Sequence, residues 1–189
     1  RDRWVWKLIE SGDIKTLKRM EHKLDNFDFN GRSQEFGTPI LAFFESFFLG
    51  RGAFSAIWSK TPNEYYAQAS ELCKWLRFHG ADLTAQAPAT CEKSLDMAWE
   101  REGEVREEGE CDDDDDDHST VVEFANRSPL EVLMDFRWSI SEKVASCPRW
   151  STALEACEFL VKEITQCDAA ESTKMLIPRF VVEAWETAS

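Results

Sequence analysis

The sequence predicts an all-α fold: a single domain of short helices, with an acidic loop inserted between them. Three observations carry that expectation. The stretch Glu71–His79 is an amphipathic helix whose Leu72, Cys73 and Leu76 follow Ala69 at helical spacing, and Gly80 stands where a left-handed cap would end it. Thr38-Pro39 and Ser128-Pro129 each set a capping hydroxyl before a proline and then an apolar run, which is how a helix begins. Between these starts, residues 101–123 hold a charge of −10 out of −14 for the whole chain. Acidic self-repulsion and the poor helix propensity of the Asp112–Asp117 run make residues 104–120 a loop or disordered insertion within one domain spanning 1–189.

Taken in order, residues 4–11 predict a helix ending at Gly12. Asp13 caps a second helix from Ile14 to about Lys23, with Ile14, Leu17 and Leu24 on one face. After Thr38-Pro39, the residues Ile40, Phe43, Phe44, Phe47 and Phe48 form a stripe, with Leu41 and Leu49 outside it. A helix apolar on more than one side belongs between neighbours. Gly50–Asn63 is punctuated by Gly50, Gly52 and Pro62, and Phe54, Ile57 and Trp58 within it are spaced for one helical turn. They either fold back over the helices or face a partner as an aromatic anchor, since Trp is enriched at interface hot spots. Lys93–Ala98 reads as another helix opening, with Met97, Ala98 and Trp99 inward. Structure resumes after the insertion at Val121–Phe124, and Ser128 opens a further helix. Ser139–Trp150 is a second insert, followed by an amphipathic helix through Ala153, Leu154, Cys157, Leu160, Val161 and Ile164. A last short helix carries Phe180, Val181, Ala184 and Trp185.

Several of these segments resemble ankyrin repeats. Phe78-His79-Gly80-Ala81-Asp82-Leu83-Thr84-Ala85 is similar to the end of such a repeat, where the second helix yields to a hairpin loop. Gly37-Thr38-Pro39-Ile40-Leu41-Ala42 resembles the family's opening tetrapeptide, with Leu41 in place of its His. Phe27-Asp28-Phe29-Asn30-Gly31 resembles its hairpin loop, and Lys93–Ala98 its Thr-Pro-Leu-Asp-Leu-Ala variant. Ser94 and Ser128 stand 34 residues apart, near the family's period of about 33. The resemblance covers roughly half of the chain. It implies ankyrin-like stacked helix pairs forming a short α-solenoid, no catalysis, and a binding surface made of hairpin tips. Those tips are Arg32 to Phe36, with Gln34 and Glu35 between, and Gln86 through Glu92 to Lys93; Trp58, Tyr65 and Tyr66 are added as candidate anchors.

The function expected is protein–protein interaction, as a scaffold or adaptor. The competing expectation is a helical structural subunit permanently buried in a larger assembly, again without catalysis. Nucleic acid is disfavoured because phosphate contacts need clustered Lys and Arg, and this chain has 22 of these against 36 Asp and Glu. No apolar run is long enough to span a membrane. No signal-like run begins the chain, which does not start with Met and so can lack its own N-terminus. Six Cys without a Cys-x-x-Cys pair fit small hydrophobes in a reducing, cytoplasmic compartment. His22 reads as a surface residue, His79 as a helix-end cap and His118 as the tail of the acidic run. No two are spaced as metal ligands. No cofactor is expected. Asp112–Asp117 could attract calcium weakly, but it lacks the alternation, central Gly and closing Glu of a dedicated calcium loop.

Overall fold

The computed structural model describes residues 2–54, 62–98, 119–145 and 147–166. Trp58, Trp99, the Asp112–Asp117 run, His118 and the expected helix around Phe180 and Trp185 lie outside these residues. Helix α1 (Arg3–Ser11) ends at Gly12, whose φ of +73° lets the Gly12 and Asp13 amides turn back onto the Ile9 and Leu8 carbonyls. Asp13 then accepts from the Thr16 amide at 3.0 Å and starts α2 (Ile14–Arg19). The second helix is shorter than its apolar spacing predicts. It breaks at Met20 into a 3₁₀ turn, Glu21–Lys23, yet Ile14, Leu17 and Leu24 are all buried as expected.

Thr38 caps the next element in place. Its hydroxyl accepts from the Leu41 amide at 3.4 Å and its carbonyl from the Ala42 amide at 2.9 Å. A 3₁₀ turn, Leu41–Phe43, runs into α3 (Phe44–Leu49), and Ile40, Phe43, Phe44, Phe47 and Phe48 are buried on all sides. Phe54 folds back against Gly12 and is also buried. Helix α4 (Pro62–Phe78) ends as its sequence requires: Gly80 takes a φ of +89° and the Ala81 amide reaches the Leu76 carbonyl at 3.0 Å. Helix α5 (Pro129–Ser141) opens with a capping box, Ser128 and Glu131 each bonding the other's backbone amide. It extends to Ser141, and α6 (Pro148–Gln166) begins at Pro148, so the second insert is shorter than Ser139–Trp150. Ala153, Cys157, Leu160, Val161 and Ile164 of α6 are buried.

The all-α, ankyrin-like solenoid is corrected by the segments flanking the acidic run. Ser94–Ala98 is a strand, β1, and Ser119–Glu123 is another, β2. They pair antiparallel with Leu95 opposite Val122 and Met97 opposite Thr120. The described residues are therefore mixed, mostly helical with one two-stranded sheet. The physical reason is periodicity. Leu95 and Met97 point inward while Asp96 and Ala98 point out, an alternation of two that five residues with a Ser-Leu-Asp opening disguise as a helix start. Thr120 and Val122 mirror it. Ser119 and Thr120 thus belong to the sheet and leave the loop expected over 104–120.

One core runs through all of these elements. Phe48 meets Phe136 at 4.7 Å between ring centres and so joins α3 to α5, while Tyr66 stacks on Phe159 at 4.3 Å and joins α4 to α6. The sheet packs between α3 and α5.

Candidate functional site

Three loop segments lie side by side along one edge of the fold. The first is closed by a reciprocal pair of backbone bonds, Ser33 amide to Gly37 carbonyl at 2.7 Å and Gly37 amide to Ser33 carbonyl at 2.8 Å. The second, 86–93, is tied to the first where the Glu92 amide donates to the Gln34 carbonyl at 3.0 Å and the Gln34 side-chain amide donates to Glu92 Oε1 at 2.8 Å. The third, 125–127, is tied to the second where the Ala87 amide donates to the Arg127 carbonyl at 3.0 Å and the Asn126 amide to the Ala87 carbonyl at 3.2 Å. Asn126 adopts a positive φ of 58°, which its short polar side chain tolerates. The result is a continuous ridge of loop tips in register.

The candidate residues divide on this ridge. Arg32, Gln34, Glu35, Gln86 and Glu92 are exposed along it. Gln86 extends its side-chain amide to Glu131 of α5 at 3.5 Å. Phe36 and Lys93 turn inward. Phe36 is 2% exposed and stacks on Trp6 at 5.6 Å. Tyr65 is likewise a core residue, its hydroxyl donating to the Phe47 carbonyl at 2.6 Å, and burial pushes its ionisation up. Tyr66 is half-buried, and burial raises its phenol too. Trp58 lies outside the described residues.

Beside the ridge runs a chain of alternating charges that the sequence does not suggest. Arg3 meets Glu35 through two bonds, at 2.7 and 3.1 Å, which hold the Glu35 carboxyl below its usual range. Lys7 bridges Glu35 and Glu10 at 3.7 and 2.8 Å. Lys93 bridges Glu10 and Glu45 at 2.5 and 3.3 Å, and Arg51 closes the row on Glu45 at 3.1 Å. Lys93 is the buried centre of this chain, its cation also 5.7 Å from the Phe36 ring centre, with Lys7 at 4.9 Å from the same ring. Burial pushes Glu10 up, and the bonds from Lys7 and Lys93 outweigh it, so its carboxyl sits below the usual value. Sequence reading missed this row because its partners come from α1, α3 and three separate loops. The available signal was a lysine between Cys91 and Leu95, two residues that turn out to be buried.

Glu10, Ser11, Glu45, Ser46, Arg51 and Gly52 line a depression of about 280 Å³, but its charged groups are already paired with each other or with Lys93. The Cys157 thiol donates to the Leu133 carbonyl at 3.4 Å, and burial raises it far from thiolate formation. Cys91 is raised by burial too. His79 does more than end α4. Its ring stacks on Phe29 at 4.8 Å, sits 4.5 Å from Trp75, and contacts Glu21 Oε1 at 2.7 Å through Nε2. Among the described residues, no group of three or more His, Cys, Asp or Glu is placed to hold a metal ion, and no helix is long and apolar enough to cross a membrane.

Comparison of the chain with protein-family models, with curated proteins and with solved structures finds no match.

Proposed function

We propose that the chain is a protein–protein interaction module, a scaffold or adaptor that meets its partner along the ridge of loop tips. The observation that carries this reading is the register of three loops bound backbone to backbone, with Arg32, Gln34, Glu35, Gln86 and Glu92 outward and Phe36 and Lys93 anchoring them from within. An extended surface of fixed loops binds by complementarity over many residues, and a rigid one loses less conformational freedom on binding. A reducing, cytoplasmic setting fits Cys91, Cys147 and Cys157, which are free thiols.

A second reading, a structural subunit held permanently in an assembly, is favoured by one feature: Phe78 and Trp138 are 83% and 78% exposed. Co-purification from native lysate separates the two. The adaptor reading expects a stoichiometric partner retained by the wild type and lost by the Gln34→Arg/Glu92→Arg variant, with the isolated chain monomeric. The subunit reading expects an isolated chain that self-associates and a partner indifferent to those substitutions.

A further inference from the structure

The two-stranded sheet leaves one edge open. The Phe124 amide donates to the Lys93 carbonyl at 3.1 Å, and Ser94 stands opposite Glu123. Bonded and non-bonded pairs alternate in an antiparallel ladder. Leu95 and Met97 therefore bond across to Val122 and Thr120, while Ser94, Asp96 and Ala98 turn their amides and carbonyls away from β2. Glu92 has the same phase, and its amide donates outward to the Gln34 carbonyl at 3.0 Å. That bond is the first rung of an outer ladder. Farther along, the backbone amide and carbonyl of Asp96 have no hydrogen-bond partner among the described residues. Asp96 and Ala98 are exposed, whereas Leu95 and Met97 are wholly buried. The other edge, on β2, is guarded, because the Lys143 ammonium bonds the outward Ser119 carbonyl.

An unpaired strand edge is a template for another strand, and the side chains beside it select which one. Asp96 and Glu123 stand on the outward face of the sheet, both exposed, and neither is ion-paired among the described residues. A second copy of β1 fits badly. Antiparallel pairing over Ser94, Asp96 and Ala98 would set Asp96 directly opposite its own copy, and like charges so placed repel. A cation in that place attracts instead. We propose that the outer edge of β1 takes an extended, basic segment of a partner protein as a third strand, with a Lys or Arg beside Asp96. This goes beyond the loop ridge: it stands on main-chain groups of β1 and can fail while the ridge reading holds.

The test is binding of a capped, dye-labelled peptide of alternating lysine and valine to the whole chain, followed by fluorescence anisotropy, with amide exchange read by NMR. In the isolated chain the Leu95 and Met97 amides should exchange slowly and the Asp96 amide freely; saturating peptide should slow Asp96 about tenfold. Two further peptides keep the side chains and charge but carry a backbone methyl on every lysine nitrogen or on every valine nitrogen. Methylating the set that faces β1 should weaken binding about tenfold, the loss of two or three backbone bonds, and methylating the other set less than about twofold. The two strand directions exchange these sets, so either assignment supports a third strand, and equal effects overturn it. Attraction to the acidic run acts on all three peptides alike. Asp96→Lys should weaken the parent peptide about threefold to fivefold, with Leu95 and Met97 exchange unchanged as the sign of an intact sheet. Undiminished binding by Asp96→Lys would overturn the proposal, as would no binding at about 1 mM peptide. So would an Asp96 amide already slow in the isolated monomer, which would mean that the chain covers its own edge, or one that slows only as protein concentration rises, which would make the occupant a second copy.

Discussion

Lys93 Nζ lies 2.5 Å from Glu10 Oε1, though 83 positions separate them in the chain. This pair pins the second loop of the ridge to α1 and, through Glu45 at 3.3 Å, to α3. Removing the cation leaves two carboxylates facing one another. A broken buried pair typically costs about 3–5 kcal/mol, and the partial exposure of Glu10 and Glu45 (23% and 26%) lowers the expectation for Lys93→Met to about 2 kcal/mol in urea denaturation.

The same pair sets a pH dependence. The Glu10 carboxyl is held below its usual value near 4.5, so its stabilisation is complete above that value and is lost as pH falls through the lower folded one. Stability measured from pH 6 downward should decline more shallowly in Lys93→Met than in the wild type. Parallel declines would detach Glu10 from Lys93.

Gly12 has a φ of +73°, and a Cβ there would stand 2.5 Å from Phe54 Cε2. Gly12→Ala meets both the left-handed backbone cost and the aromatic ring, so about 2–3 kcal/mol of destabilisation is expected. Measured against Phe54→Leu alone, adding Gly12→Ala should cost only the backbone part, about 1 kcal/mol.

The Tyr65 hydroxyl satisfies the Phe47 carbonyl at 2.6 Å inside the core. Tyr65→Phe should cost about 1–2 kcal/mol, the penalty of an acceptor left buried without its donor. Because burial raises its ionisation, Tyr65 should stay protonated in the folded protein where an exposed phenol titrates, and ultraviolet difference titration should show its signal only on alkaline unfolding.

The strand assignment of Ser94–Ala98 makes its own prediction. Leu95→Ala should cost about 2–4 kcal/mol, whereas Ala98→Lys, outward in the strand, should stay within about 0.5 kcal/mol. A helix opening with Ala98 inward would reverse the tolerance at Ala98.

What the sequence disclosed is what local chemistry determines. Gly12, Asp13, Thr38, Gly80 and Ser128 each act through neighbours within a few positions, and each cap is where the residues place it. The sheet was hidden because β1 takes its meaning from β2, across 20 residues of mostly charged chain, and a five-residue run holds too little periodicity to choose between helix and strand. The candidate site was half legible for the same reason. Loop tips could be found from the residues around them, but whether Phe36 and Lys93 face solvent or core depends on Trp6, Glu10 and Glu45, which no spacing rule brings near.

The most direct measurement is site-specific photo-crosslinking in native lysate, with the reactive group placed in turn at Gln34, at Gln86 and at Lys15, an exposed α2 position off the ridge. The account predicts one common partner crosslinked from positions 34 and 86, absent from position 15, and displaced by excess unlabelled wild type. The same products from all three positions, or none from the two ridge positions, would contradict it.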